Sequence, residues 1–316
     1  PYRRQRQMCI RDRSYDGLLE SMHYSLTAGG KRIRPTLVLE FCRISGGDIE
    51  KALPVACAIE MLHTYSLIHD DLPCMDNDEL RRSKPTNHVV YGECTATLAG
   101  DALQAEAFGT IARSELPAEN KIACVEILAD AVGSDGMCAG QYLDMVGESK
   151  QLTEDELDDI NSRKTGALLI AACRMGVAAA GGSGEMLEAA AHYGACVGAA
   201  FQIRDDIFDY FSDDVGKPTG NDLRECKITL PLLHTLLRDD LPDVGRMREI
   251  ASQETLTDDE IAELIAFAVE NGGIDYAFDE MHRLRGEAAE ILAGFPRTAS
   301  TEQLMSIFDY IIARDH

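Results

Sequence analysis

The sequence predicts an all-α fold, on three observations. Sustained runs of alternating β-branched and polar residues, the mark of half-buried strands, are almost absent. Helix-scale apolar segments repeat along the chain, and two open with capping boxes: Thr153-Glu154-Asp155-Glu156 and Thr257-Asp258-Asp259-Glu260. Two carboxylate clusters, Asp70-Asp71 with Asp76 and Asp205-Asp206 with Asp209, are set in apolar helical stretches rather than in solvated faces.

The helices follow in order. Leu18–Leu26 is a short pattern that stops at Gly29-Gly30, ahead of Lys31-Arg32-Ile33-Arg34-Pro35. Spans 36–45 and 52–71 read as helices, the second ending near Leu72 because Pro73 disfavours helix before it. Residues 77–91 are polar and irregular. Helices are expected at 93–112, at 122–132, from the first capping box without a break to about Ala180, at 185–211, at 228–237, and from the second capping box to Gly272-Gly273. Two amphipathic stretches close the chain. No short fixed-period repeat is present.

Composition narrows the function. The 316 residues, 45% of them hydrophobic, allow one or two domains and a substantial core. No apolar run approaches the roughly 18 residues of a membrane span. The net charge of −24 argues against nucleic acid as a partner, which would need a basic face. It leaves an anionic substrate open, because local basic residues decide that. The ten cysteines are scattered without a C-x-x-C pair, which points to reduced, buried thiols in a cytoplasmic protein. Residues 1–13 hold five Arg, have no apolar signal region, and look like translated adapter sequence. They are set apart as a non-native, assembly-derived segment, with part of the first helix expected to be missing.

The first cluster ends a helix, where the dipole is already negative, so a cation must compensate. Oxygen ligands without His or Cys suit Mg²⁺. In the second cluster Asp205 and Asp209 fall within about 40° on a helix face. Around these acids stand Lys31, Arg34, His63, Arg81, Arg82, Lys164, Lys217 and Lys227. Either half has a plain reading, as charged helix ends or as surface charge. Together, facing cations and metals imply a strongly anionic substrate, and apolar helices around them imply an apolar far end. A prenyl diphosphate meets both demands.

These motifs resemble those of the trans-prenyltransferases, the polyprenyl synthetase family. The resemblance runs from about Ser21 to the C-terminus. It rests on Gly29-Gly30-Lys31-Arg32-Ile33-Arg34-Pro35, on Asp70-Asp71 through Asp76 with Arg81-Arg82, on Lys164-Thr165, and on Phe201-Gln202 leading into Asp205-Asp206-Ile207-Phe208-Asp209. Tyr65-Ser66-Leu67-Ile68-His69 before the first motif is similar to the bacterial farnesyl-type branch. The resemblance implies a single isoprenoid-synthase helical bundle over residues 14–316 around a central cavity, and a homodimer. It implies head-to-tail condensation of isopentenyl diphosphate with allylic diphosphates (dimethylallyl, geranyl), giving farnesyl diphosphate.

By the same resemblance Asp70 and Asp76 bind two Mg²⁺ ions and Asp205 a third, with Asp71, Asp206 and Asp209 in support. Arg81, Lys164 and Lys227 hold the allylic diphosphate; Lys31, Arg34, His63 and Arg82 hold the isopentenyl diphosphate; Lys217 is a further diphosphate contact. Thr165 and Gln202 line the site of developing positive charge. Tyr65 or Ser66 sets chain length. On an ideal wheel Tyr65 lies about 140° from Asp70, so its aim into the cavity comes from the resemblance alone. A geranylgeranyl diphosphate synthase would keep every motif residue. A terpene cyclase would be expected to alter the second motif, and a non-catalytic subunit to lose motif acids.

Overall fold

The structure, a computed structural model, describes residues 15–147, 153–211, 219–225, 227–253 and 255–314. Helices dominate them. In chain order they are α1 (Asp16–Leu26), α2 (Ile33–Ile44), α3 (Ile49–Asp70), α4 (Asn87–Tyr91), α5 (Glu93–Ala112), α6 (Ala118–Val132), α7 (Met137–Gly147), α8 (Glu154–Asn161), α9 (Ala167–Ala180), α10 (Gly184–Phe208), α11 (Asn221–Arg224), α12 (Leu230–Leu236), α13 (Val244–Ala251), α14 (Asp258–Glu270), α15 (Gly273–Ala293) and α16 (Ala299–Ala313). Among the described residues the one sheet is a two-residue antiparallel hairpin, β1 (Leu80–Arg81) with β2 (Lys84–Pro85). The all-α expectation holds.

Local chemistry sets the helix ends. Asp48 caps α3, its side chain accepting the Glu50 N–H at 3.0 Å. Both capping boxes form: Thr153 with Glu156 opens α8, and Thr257 with Glu260 opens α14. Two boundaries differ from expectation. The helix expected unbroken from Thr153 to Ala180 is interrupted by a π-helical turn at Ser162–Gly166, a feature that has no signature in apolar periodicity. The irregular stretch 77–91 holds the hairpin and α4, both too short to register as patterns.

The main core gathers α2, α3, α5, α6, α9, α10, α15 and α16 around Leu37, Phe41, Ile59, Leu62, Leu103, Leu168 and Tyr193, all at most 1% exposed. Tyr193 ties α10 to α16 by donating its hydroxyl to the Leu304 carbonyl at 2.7 Å. A second cluster, with Leu232, Ile261 and Leu264, packs α12, α13 and α14. The cysteine expectation is corrected in part. Cys42, Cys124, Cys173 and Cys196 are buried, but Cys57, Cys74, Cys94 and Cys138 are exposed, because their helices and loops turn a second face to solvent or to a cavity. All eight are free thiols; Cys9 and Cys226 lie outside the described residues. No described helix is long and apolar enough to cross a membrane.

Candidate active site

α3 ends as Pro73 requires, with Asp70 its last residue and Asp71 the C-cap. The loop then folds back. The Met75 N–H donates to the Leu72 carbonyl and the Asp76 N–H to the Asp70 carbonyl, each at 2.9 Å, which brings Asp76 beside Asp70. Burial pushes the Asp70 carboxyl up to about 6, opposed by Lys164 and reinforced by Asp76. Burial also raises Asp71 and Asp76. Asp71, only 3% exposed, accepts the Arg81 Nε–H at 2.6 Å, and the second arm of that guanidinium reaches Asp78 at 3.5 Å. Asp70 and Asp76 form no ion pair among the described residues, which leaves both carboxylates open.

Facing them, the π turn carries Lys164. α7 presses against it so closely that a Cβ on Gly140 would lie 2.4 Å from the Lys164 backbone nitrogen. The Lys164 ammonium donates to Asp144 at 2.6 Å, and Lys227 donates to the other oxygen of that carboxylate at 3.0 Å. Lys227 also pairs with Glu225 at 3.1 Å. The two ammoniums hold the half-buried Asp144 below the usual carboxylate range, against the opposing effect of its burial.

The second cluster closes α10. Asp205 pairs with the Arg314 guanidinium, which lies 4.1 Å from the Phe201 ring centroid. Burial pushes Asp206 up to about 6, while Gln202 donates to it at 2.9 Å. Asp209 accepts the N–H groups of Asn221 and Asp222 at 2.8 and 3.0 Å, which anchors α11. Asp222, beside Asp209 and Asp206, is pushed up to about 7, chiefly by burial. Lys217 lies outside the described residues.

A cavity of about 390 Å³ opens between α3, α7 and the π turn. Asp70, Arg34, His63, Lys164 and Thr165 line its charged part; Tyr65, Ser66, Leu67, Met75, Met137 and Met145 line much of the remainder. Arg34 Nε is buried there without a hydrogen-bond partner, and burial lowers its guanidinium to about 10. Burial, then the charge of Arg34 and neighbouring arginines, holds His63 well below its usual range, so it is neutral near pH 7. His63 also faces a smaller cleft with Arg81, Arg82 and Lys84. Arg82 donates to the Gly29 carbonyl, and Lys31 lies 5.5 Å from the Tyr310 ring centroid. The cavity thus joins Asp70, Lys164, Thr165, Arg34, His63, Tyr65 and Ser66, whereas Lys31, Arg82, Gln202 and the second cluster lie outside its lining.

The donor set fits Mg²⁺. Among the described residues no three His, Cys, Asp or Glu side chains form a ready-made cage. Mg²⁺ is ordinarily held by one or two carboxylates together with substrate phosphates. Asp70, half-buried, and Asp76, exposed beside it, have no ion pair among the described residues and are such a pair. Two acids of this site escaped sequence reasoning, Asp144 and Asp222. The available signal was an acid in the otherwise apolar α7 and another after the Gly220-Asn221 turn, but neither sits in a recognisable cluster.

Residues 16–268 match the family model described as Polyprenyl synthetase. The chain is 49% identical over 224 residues to farnesyl diphosphate synthase of Geobacillus stearothermophilus, covering 69% of this chain and 75% of that protein. It is 48% identical over 227 residues to geranylgeranyl pyrophosphate synthase 3, chloroplastic, of Arabidopsis thaliana, covering 69% and 63%. Its fold is similar to the crystal structure of geranylgeranyl pyrophosphate synthetase from Pyrococcus horikoshii, with a TM-score of 0.83 at 36% identity over 97% of this chain and 93% of that one. With a family model spanning most of its length and carboxylates, lysines and cavity arranged as described, the chain belongs to the polyprenyl synthetase family.

Proposed function

We propose that this chain is a Mg²⁺-dependent trans-prenyltransferase that condenses isopentenyl diphosphate with dimethylallyl and geranyl diphosphates and stops at farnesyl diphosphate. One observation supports the product most directly. The cavity that holds Asp70 and Lys164 is also lined by Tyr65, a bulky ring only 6% exposed. Each further isoprene unit would have to displace that packed ring. Relatives include both farnesyl and geranylgeranyl diphosphate synthases, so C20 is the second reading, and Tyr65 favours C15.

The residues divide the work. Asp70 and Asp76 hold two Mg²⁺ ions and Asp205 a third, with Asp71, Asp206 and Asp209 in support. Asp205 must part from Arg314 to do so. Bound Mg²⁺ supplies positive charge to the oxygens of the leaving diphosphate. Lys164, Lys227 and Arg81 hold that diphosphate and stabilise the charge it gains as the allylic C–O bond breaks. Lys31, Arg34, His63 and Arg82 hold isopentenyl diphosphate, with Lys217 as a further diphosphate contact. Neutral His63 contributes a hydrogen bond rather than a charge. The apolar wall excludes water from the allylic cation, and Thr165 and Gln202 lie toward it. The isopentenyl double bond supplies the electrons of the new C–C bond, and the departing diphosphate takes the proton.

We place the enzyme in the cytoplasm as a homodimer. Eight free thiols suit a reducing compartment, and the exposed Leu98 and Ile122 on α5 and α6 suit a subunit contact. The test is separation of products by chain length after incubation with isopentenyl diphosphate and C5, C10 or C15 allylic starters. The C5 and C10 starters should yield C15, and the C15 starter should turn over poorly. Products of C20 or longer from C5 would reject the farnesyl reading.

A further inference from the structure

Tyr65 does not stand alone at its end of the cavity. Its phenol oxygen lies 3.7 Å from Cys138 Sγ on α7, within hydrogen-bonding reach of sulfur. Its ring meets the His69 ring edge-on, 5.6 Å between centroids, and Gln104 of α5 approaches the same phenol. His69 in turn occupies the space over Gly100, where a Cβ would lie 2.1 Å from its Nε2. The phenol is therefore backed by α5 and met across the cavity by α7.

The helix geometry gives this contact a place along the substrate. Tyr65 precedes Asp70 by about 7.5 Å of helical rise on α3, and Cys138 precedes Asp144 by about 9 Å on α7. Lys164 bonds Asp144 and acts electrostatically on Asp70, so both charged residues mark the diphosphate end. The Tyr65–Cys138 contact then lies at a matching depth on both helices, toward the apolar end. Carbon chains pack at about 3.5–4.0 Å from their neighbours. A prenyl tail passing between phenol and thiol would need them about 7–8 Å apart. At 3.7 Å the passage is closed.

We infer that Cys138 is a positioning residue for product length: with Tyr65 it forms a two-sided stop, and the pair rather than the tyrosine alone ends chain growth. This rests on the reading of the chain as a C15 producer. The thiol is small enough to admit the first isoprene units, and it fixes the phenol across their path.

The test compares wild type, Cys138→Ala, Cys138→Ser, Tyr65→Phe, Tyr65→Ala and the double variant Tyr65→Ala/Cys138→Ala. Each is incubated with isopentenyl diphosphate and geranyl diphosphate, and products are separated by length. Cys138→Ala and Tyr65→Phe should each raise the C20-to-C15 ratio about 3- to 10-fold, the range of one hydrogen bond. Cys138→Ser, which keeps a donor, should stay near wild type. The double variant should lengthen no further than Tyr65→Ala. With dimethylallyl diphosphate as starter in a separate incubation, the rate of the first C5-to-C10 condensation should be unchanged in Cys138→Ala, as should the melting temperature, which separates this role from a general packing one. If Tyr65→Ala lengthens the product while Cys138→Ala and Tyr65→Phe leave it at C15, the two-sided stop is overturned and the C15 reading survives. If Tyr65→Ala stays at C15, the two-sided stop is likewise overturned and the C15 reading survives; if wild type already makes C20, both fall.

Discussion

The Lys164 ammonium donates to the Asp144 carboxylate at 2.6 Å, and the other oxygen of that carboxylate receives Lys227 at 3.0 Å. One acid thus joins two cations from segments far apart in the chain and holds them side by side against their mutual repulsion. Asp144→Asn keeps the shape and removes the charge. It should raise the Michaelis constant for the allylic diphosphate by about 10- to 100-fold, the range of a charge-assisted hydrogen bond, and leave that for isopentenyl diphosphate little changed. Steady-state kinetics with each substrate varied in turn checks it.

The basic residues should divide by substrate. Lys31→Ala or Arg34→Ala should mainly raise the Michaelis constant for isopentenyl diphosphate, about 10-fold or more, and Lys164→Ala that for the allylic partner. Arg34 is the sharper case, since its Nε is buried without a partner until an anion arrives. The reverse pattern would count against the assignment.

Asp222 gives a pH prediction. Its carboxyl is raised to about 7, so the folded state favours the protonated form. The resulting destabilisation is absent below the ordinary carboxylate value of 3.8 and complete above about 7. Asp222→Asn should therefore stabilise the metal-free protein at pH 8, by about 1–2 kcal/mol once partial solvent access is allowed for, and the gain should vanish near pH 4. Urea unfolding at the two pH values measures it.

Sequence reasoning reached the helices and the acid clusters because both leave local signals: apolar periodicity, capping boxes and Pro73. The exposed Cys138 and the aim of Tyr65 were not legible, because each depends on which helix lies opposite. An ideal wheel turns Tyr65 away from Asp70, yet the two line one cavity, since α7 and the π turn wrap around that side of α3. The π turn was hidden for the same reason: it packs against Gly140 of α7, and its Lys164 bonds Asp144 of that helix. Asp144 left only a lone acid, and its meaning came from two lysines brought to it by the fold.

The most direct test of the account is farnesyl diphosphate formation from isopentenyl and geranyl diphosphates by wild type, Asp70→Ala and Asp205→Ala, each with Mg²⁺ and with EDTA. The two clusters act as one unit on the leaving diphosphate, so turnover should fall by about three orders of magnitude or more in either variant and in EDTA. Full activity in EDTA, or in either variant with Mg²⁺, would contradict it.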